Sequence, residues 1–293
     1  MKQTLHNDLL TVTIDSHGAE LQSIEHNRSH YQYLWHGDKS FWGRRSPVLF
    51  PIVGAVWQGV YRMDGKEWPM SQHGFARDCE FVPMEGVPED EAWFVLESNE
   101  ETLNRYPRRF RLEIGYRLQE ARLEVMWRVK NLDNKEMSFQ IGAHPAFNYP
   151  GFVASDDVHG YFQMGFAPLT AQVIGHKGCV STERVGVEMD AEVMLPLTGH
   201  TFERDAIILA DRQVRRVSML TKERTPYLTL LFDAPVVGLW SPKADAPFVC
   251  IEPWWGRADS EGFEGDFANR EWVNKLAPGH TFEASYTIIV DDL

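Results

Sequence analysis

Phe110-Arg111-Leu112-Glu113-Ile114-Gly115-Tyr116-Arg117-Leu118 leads, across a short polar turn, into Leu123-Glu124-Val125-Met126-Trp127-Arg128-Val129. Phe110, Leu112, Ile114, Tyr116 and Leu118 share one parity, and Arg111, Glu113, Gly115 and Arg117 take the other. After the turn, Leu123, Val125, Trp127 and Val129 resume the alternation. Successive side chains of a strand point to opposite faces, so this is a hairpin with one buried and one wetter face.

The same period of two recurs along the chain. Leu9–Ile14, Trp93–Glu97, Met137–Ala143, Ala206–Leu209, Tyr227–Phe232, Phe248–Ile251 and Phe282–Val290 read as further strands. Helical periodicity is scarce, and Glu100–Tyr106 is the one short helix expected, stopped before Pro107. Many short strands separated by turn signals predict an all-β protein, a sandwich or barrel. Gly151 to Pro196 is the least regular stretch and reads as long loops. No linker divides the chain, so residues 1–293 are read as one domain.

Composition narrows the function. Of 293 residues, 43% are hydrophobic and 12% aromatic, enough for a sizeable core. The formal net charge of -13 argues against nucleic acid, whose phosphates need a basic surface. Three widely spaced cysteines, Cys79, Cys179 and Cys250, make neither a disulfide framework nor a zinc motif. Met1-Lys2-Gln3-Thr4-Leu5-His6 has no apolar signal core, and no apolar run reaches spanning length. A soluble, cytoplasmic protein with no membrane partner is expected. P-loop, dinucleotide, H-E-x-x-H and G-x-S-x-G signatures are absent.

Two ionisable residues stand out. His144 lies in Gly142-Ala143-His144-Pro145 and Glu252 in Val249-Cys250-Ile251-Glu252-Pro253-Trp254. Each follows an apolar run and precedes proline, which favours extended geometry before it and removes a ladder hydrogen bond. Each is expected at a strand end, where a sheet opens into a cleft. His144 has the parity of Ser138, Gln140 and Gly142, which turns it from the greasy face toward a polar groove. Glu252 between Phe-Val-Cys-Ile and Pro-Trp-Trp is expected to be partly buried. There it either pairs, for instance with Arg257, or serves chemistry.

Other candidates carry a plain structural alternative. His73 and Arg77, in Gln72-His73-Gly74-Phe75-Ala76-Arg77, suit a sugar hydroxyl, and Arg77 also suits a phosphate or carboxylate; both equally fit a loop and its rim. Asp205 by itself reads as a turn residue. Arg44-Arg45 heads a proline-bracketed apolar segment that delivers an arginine to a rim. Trp240, Trp254 and Trp255 suit stacking on a sugar ring or simple packing.

Taken in order, Gly18-Ala19-Glu20-Leu21, Arg45-Ser46-Pro47 through Gly54, Gln72 through Arg77, Gly142 through Asn148, Asp205-Ala206-Ile207-Ile208, Leu239-Trp240-Ser241-Pro242 and Cys250 through Trp254 resemble the aldose 1-epimerase (galactose mutarotase-like) superfamily. Within it the chain is most similar to the LacX-like branch. The resemblance implies a large antiparallel β-sandwich with its site in a groove on one sheet. It implies Glu252 as general base, His144 as general acid, His73 assisting, and Asp205, Arg45, Arg77 and Trp254 contacting substrate. It implies no metal and no organic cofactor, a small sugar as partner, and a monomer or homodimer. The His-Gly-Phe-Ala-Arg string also resembles the hexose-6-phosphate epimerase branch, where Arg45 and Arg77 would hold a phosphate. A sugar-binding sandwich without turnover is the reading from a different class.

Overall fold

The computed structural model describes residues 1–165 and 168–291. Strand accounts for 46% of the chain and helix for 6%. The deciding hairpin is present as strands Phe110–Gln119 and Arg122–Asn131. Leu112 pairs with Val129, Ile114 with Trp127 and Tyr116 with Val125, so the apolar parity of both strands meets on one face.

This hairpin sits inside a nine-stranded sheet whose edge-to-edge order begins with Leu195–Leu197, Gly160–Gln163 and Arg216–Leu220. Pro226–Phe232, Thr281–Val290 and the hairpin follow, then Glu91–Glu97 and Val82–Pro83. An eight-stranded sheet packs against it. Its order is Val180–Gly186, Thr170–Ile174, Ile207–Leu209, Val236–Trp240, Phe248–Trp255, Ile141–Ala143 and Val48–Leu49, with Ala146–Asn148 also pairing to Phe248–Trp255. All these pairings are antiparallel. The result is a large antiparallel β-sandwich. Its main core lies between the sheets and takes Leu112, Ile114 and Trp127 from one, and Ile141, Val237, Leu239, Val249 and Ile251 from the other.

Three expectations change. Gly151 to Pro196 holds the expected loops, but between them run short strands that join both sheets. The helix is Glu100–Leu103 only, capped by Asn99, whose side chain accepts from the Thr102 N–H. The glutamate strand does not stop at Ile251 but runs on through Pro253 to Trp255. Alternate residues of a strand direct their backbone groups to opposite neighbours. The Ile251 N–H reaches the Pro145 carbonyl. Pro253 therefore directs its missing donor to that same side, toward the segment that carries His144 and Pro145. Among the described residues, no helix is long and apolar enough to cross a membrane.

Candidate active site

Register places the central pair. Ile141–Ala143 and Ala146–Asn148 both pair with the glutamate strand, Gly142 opposite Trp254 and Ala146 opposite Cys250. The register is the same on both sides of the intervening His144-Pro145. Carried through that gap, it sets His144 opposite Glu252. His144 Nε2 and Glu252 Oε2 are 3.3 Å apart.

Both side chains point away from the main core. The odd-numbered partners Ile141, Val249 and Ile251 face the other sheet. The alternate set builds two smaller apolar clusters on the outer face. One contains Leu49, Val53, Ile208, Val236, Trp254 and Ala258. The other contains Trp35, Ala146, Phe248 and Cys250, with Trp42 and Trp240 against it. Between them the rows read Ile208, Gly238, Glu252 and then His144. Gly238 opposite Glu252 leaves room on that floor for the Trp254 indole.

The cavity above that floor has a volume of about 470 Å³, and its walls include Trp42, Arg44, Gln72, His73, Arg77 and Asp205. Trp42 stacks on the His144 ring at 4.7 Å, and Trp240 meets that ring edge-on at 5.5 Å. His73 lies edge-on to it at 5.5 Å. The Gly54 N–H donates to His73 Nδ1 at 3.1 Å, which leaves the His73 proton on Nε2. His73 is thus a neutral hydrogen-bond donor, and burial also holds its pKa well below the usual imidazole value. The turn that presents it requires glycine next. Gly74 has φ +73°, and a β-carbon there would lie 2.2 Å from the Phe50 carbonyl oxygen.

Electrostatics set the proton on the pair. Both groups are buried, at 7% and 1% exposure for His144 and Glu252. Burial, followed by the nearby Arg77 charge, pulls the His144 pKa down to about 3. Burial pushes the Glu252 carboxyl well above the ordinary range. Both shifts favour the uncharged forms, a protonated carboxyl beside a neutral imidazole. His144 Nδ1 and Glu252 Oε2 have no hydrogen-bond partner within the protein. Such orphaned buried groups are costly unless a ligand satisfies them.

The remaining expected residues divide. Arg77 lines the cleft, with its Nη2 on the Gln72 carbonyl at 2.7 Å and its buried Nε making no hydrogen bond, 4.0 Å from Asp78 Oδ2. Asp205 stands exposed at the rim in a turn with φ +71°. Trp254 lines the cleft but is only 5% exposed, packed into the sheet face. Arg45 is not among the lining residues. It turns to the Gln22 carbonyl, its amide binds Glu20, and Arg44 lines the cleft in its place, paired to Asp78 at 2.8 Å. In an extended segment neighbouring side chains take opposite sides, and the sequence does not say which of two arginines faces in. Trp255 faces the main core against Trp127. Arg257 does not pair with Glu252. It bonds Gln172, Ser260 and Glu271. Trp42 and Gly238 escaped the sequence reading, since neither carries a local motif.

A larger hollow of about 690 Å³ lies on the reverse side of the Ile207–Leu209 strand, sharing only Asp205 and Ala206 with the cleft. Its imidazole–carboxylate pair, His200 and Glu203, is solvent-exposed, so burial does not tune it for proton transfer. The buried pair lies in the smaller cavity. His144, Cys250 and Glu252 offer ligand atoms within 4.8 Å of one another. Cys250 is fully buried and burial pushes its thiol up, away from the thiolate that a metal ligand must be.

A family model described as aldose 1-epimerase matches residues 1–261. The chromosomal protein LacX of Lactococcus lactis subsp. lactis is 30% identical over 298 residues, spanning 98% of this chain and 98% of that protein. A solved galactose mutarotase-like protein from Lactobacillus casei superposes with a TM-score of 0.93 at 31% identity, over 99% of this chain and 100% of that one. A galactose mutarotase related enzyme from Lactobacillus acidophilus gives 0.91 at 31% identity, over 100% and 98%.

Proposed function

The chain belongs to the aldose 1-epimerase family, and from that premise we propose that it interconverts the α and β anomers of a free hexose. The observation that carries this reading is the His144–Glu252 pair at 3.3 Å, facing into a cavity of sugar size. Ring opening removes a proton from the anomeric hydroxyl and adds one to the ring oxygen. Both oxygens are bonded to the same carbon, so acid and base must sit side by side, as these do.

Glu252 takes the hydroxyl proton and His144 protonates the ring oxygen. The aldehyde turns about C1–C2 and recloses with the roles exchanged. In the empty cleft burial favours the opposite tautomer, carboxyl protonated and imidazole neutral. Both tautomers hold one proton, so sugar hydroxyls that hydrogen-bond the charged forms need only draw it across the gap. Acid–base assistance of this kind is worth ~10²–10⁴-fold. His73 Nε2–H and Asp205 orient hydroxyls, and Arg77 and Trp254 bound the ring. Anomer exchange of glucose and galactose by NMR tests the proposal. It fails if neither sugar exchanges faster with protein than without.

One observation favours a second reading. Arg44 and Arg77 line the same wall, and the buried Arg77 Nε makes no hydrogen bond, Asp78 Oδ2 lying at 4.0 Å. A 6-phosphate would satisfy it. The corresponding sugar phosphates in the same assay decide between the two substrates.

A further inference from the structure

Trp254 lies two residues beyond Glu252 on one strand, so both side chains share the cleft face. The strands on either side carry glycine where the indole lies. A β-carbon on Gly142 would come 2.7 Å from the indole Cδ1, and one on Gly238 would come 2.6 Å from Cζ2 and Cη2. The ring is thus laid across two slots, with its nitrogen between the two fixed edges. Gly238 is the register partner of Glu252 itself. The indole N–H is buried and has no hydrogen-bond partner, and Glu252 Oε2 is in the same condition. A buried, unpartnered donor next to a buried, unpartnered acceptor is a costly arrangement for packing alone.

We infer that Trp254 is a positioning residue whose indole N–H holds the ionised form of the Glu252 carboxyl at the moment it accepts the substrate proton. The inference rests on the proposed proton transfer. A neutral carboxyl needs no such donor; a carboxylate in a dry cleft does, and hydrogen bonds to ionised acceptors are the strong ones. Phenylalanine would fill the slots and supply nothing. The indole N–H faces the Glu252 carboxyl short of a formed hydrogen bond, and that approach lowers the Glu252 pKa against the larger rise from burial.

The test compares wild type with Trp254→Phe, and with a variant carrying 3-benzothienylalanine at 254, which keeps the indole shape and loses the N–H. The first readout is the infrared band of the buried Glu252 carboxyl against pH, identified by its loss in Glu252→Gln. It needs no turnover. The expected result is a midpoint about one to two pH units higher in both variants. The second readout is anomerase kinetics, where kcat should fall about 10- to 100-fold with KM changed by less than about threefold. An unmoved carboxyl midpoint overturns the inference; a raised KM with that midpoint unmoved would assign the N–H to the sugar instead. If wild type turns over no sugar while the midpoint still shifts, the functional reading fails and the Trp254–Glu252 coupling stands.

Discussion

Replacing either member of the central pair should remove activity and, in opposite pH ranges, remove a stability cost. Glu252 is protonated in the folded protein well above the pH at which it ionises in the unfolded chain. Its raised pKa means that stability is fully present below the unfolded value and is lost as pH rises toward the folded one. The loss is about 1.4 kcal/mol for each pH unit in that window. His144 runs the other way. Its pKa falls from 6.5 to about 3 on folding, so stability is fully present above pH 6.5 and is lost as pH falls toward 3. That descent amounts to roughly 5 kcal/mol. Between the two effects wild type is squeezed from both sides. Glu252→Gln keeps the shape and should not lose stability as pH rises above the carboxylate range. His144→Gln should not share the acid loss. Each should lower kcat at least about a hundredfold. The assay is urea unfolding of the three proteins over a pH series, beside polarimetry on glucose and galactose. Parallel stability–pH curves for wild type and both variants would refute the buried, one-proton pair, whatever the kinetics.

Other variants probe the cleft walls. Arg77→Ala should cost at least about tenfold in kcat/KM on a hexose 6-phosphate and little on the free hexose if the phosphate is the substrate; polarimetry on both compounds reads the difference. Arg45→Ala should change kcat/KM by less than about twofold on either substrate, because that side chain is turned to the Gln22 carbonyl. Gly238→Ala should destabilise the fold by about 1–3 kcal/mol in urea unfolding, since its β-carbon meets the Trp254 ring at 2.6 Å.

The sheet class was legible because the period of two is strong where one face is buried. Phe110–Leu118 and Leu123–Val129 alternate with Met126 as the one large apolar side chain out of parity, and their pairing follows that alternation residue by residue. The orientation of His144 was legible for the same reason, since its parity excludes the core. The burial of Glu252 was readable from its apolar flanks. The end of its strand was not, because proline inside a strand reads as a stop unless the missing donor is known to face an open ladder. Which side is open depends on a partner more than a hundred residues away in sequence. The strands inside Gly151–Pro196 went unread because they are short and partly exposed, so their alternation is weak. Arg44 and Arg45 are adjacent cations with nothing local to separate them.

The two prolines also explain why the pair can exist. An antiparallel ladder that ran unbroken from Gly142 to Asn148 would bond the backbone of His144 and Pro145 into the sheet. The only way to interrupt it without leaving buried donors unpaired is to remove the donors. Pro145 removes one on the histidine segment and Pro253 one on the glutamate strand, both directed into the same gap. Ile251 N–H spans what is left, reaching the Pro145 carbonyl at 3.2 Å. The register survives on either side, so the facing positions remain opposite each other while the local backbone is free to lift His144 over the cleft. The geometry of the pair is therefore set by what the backbone lacks as much as by what the side chains carry.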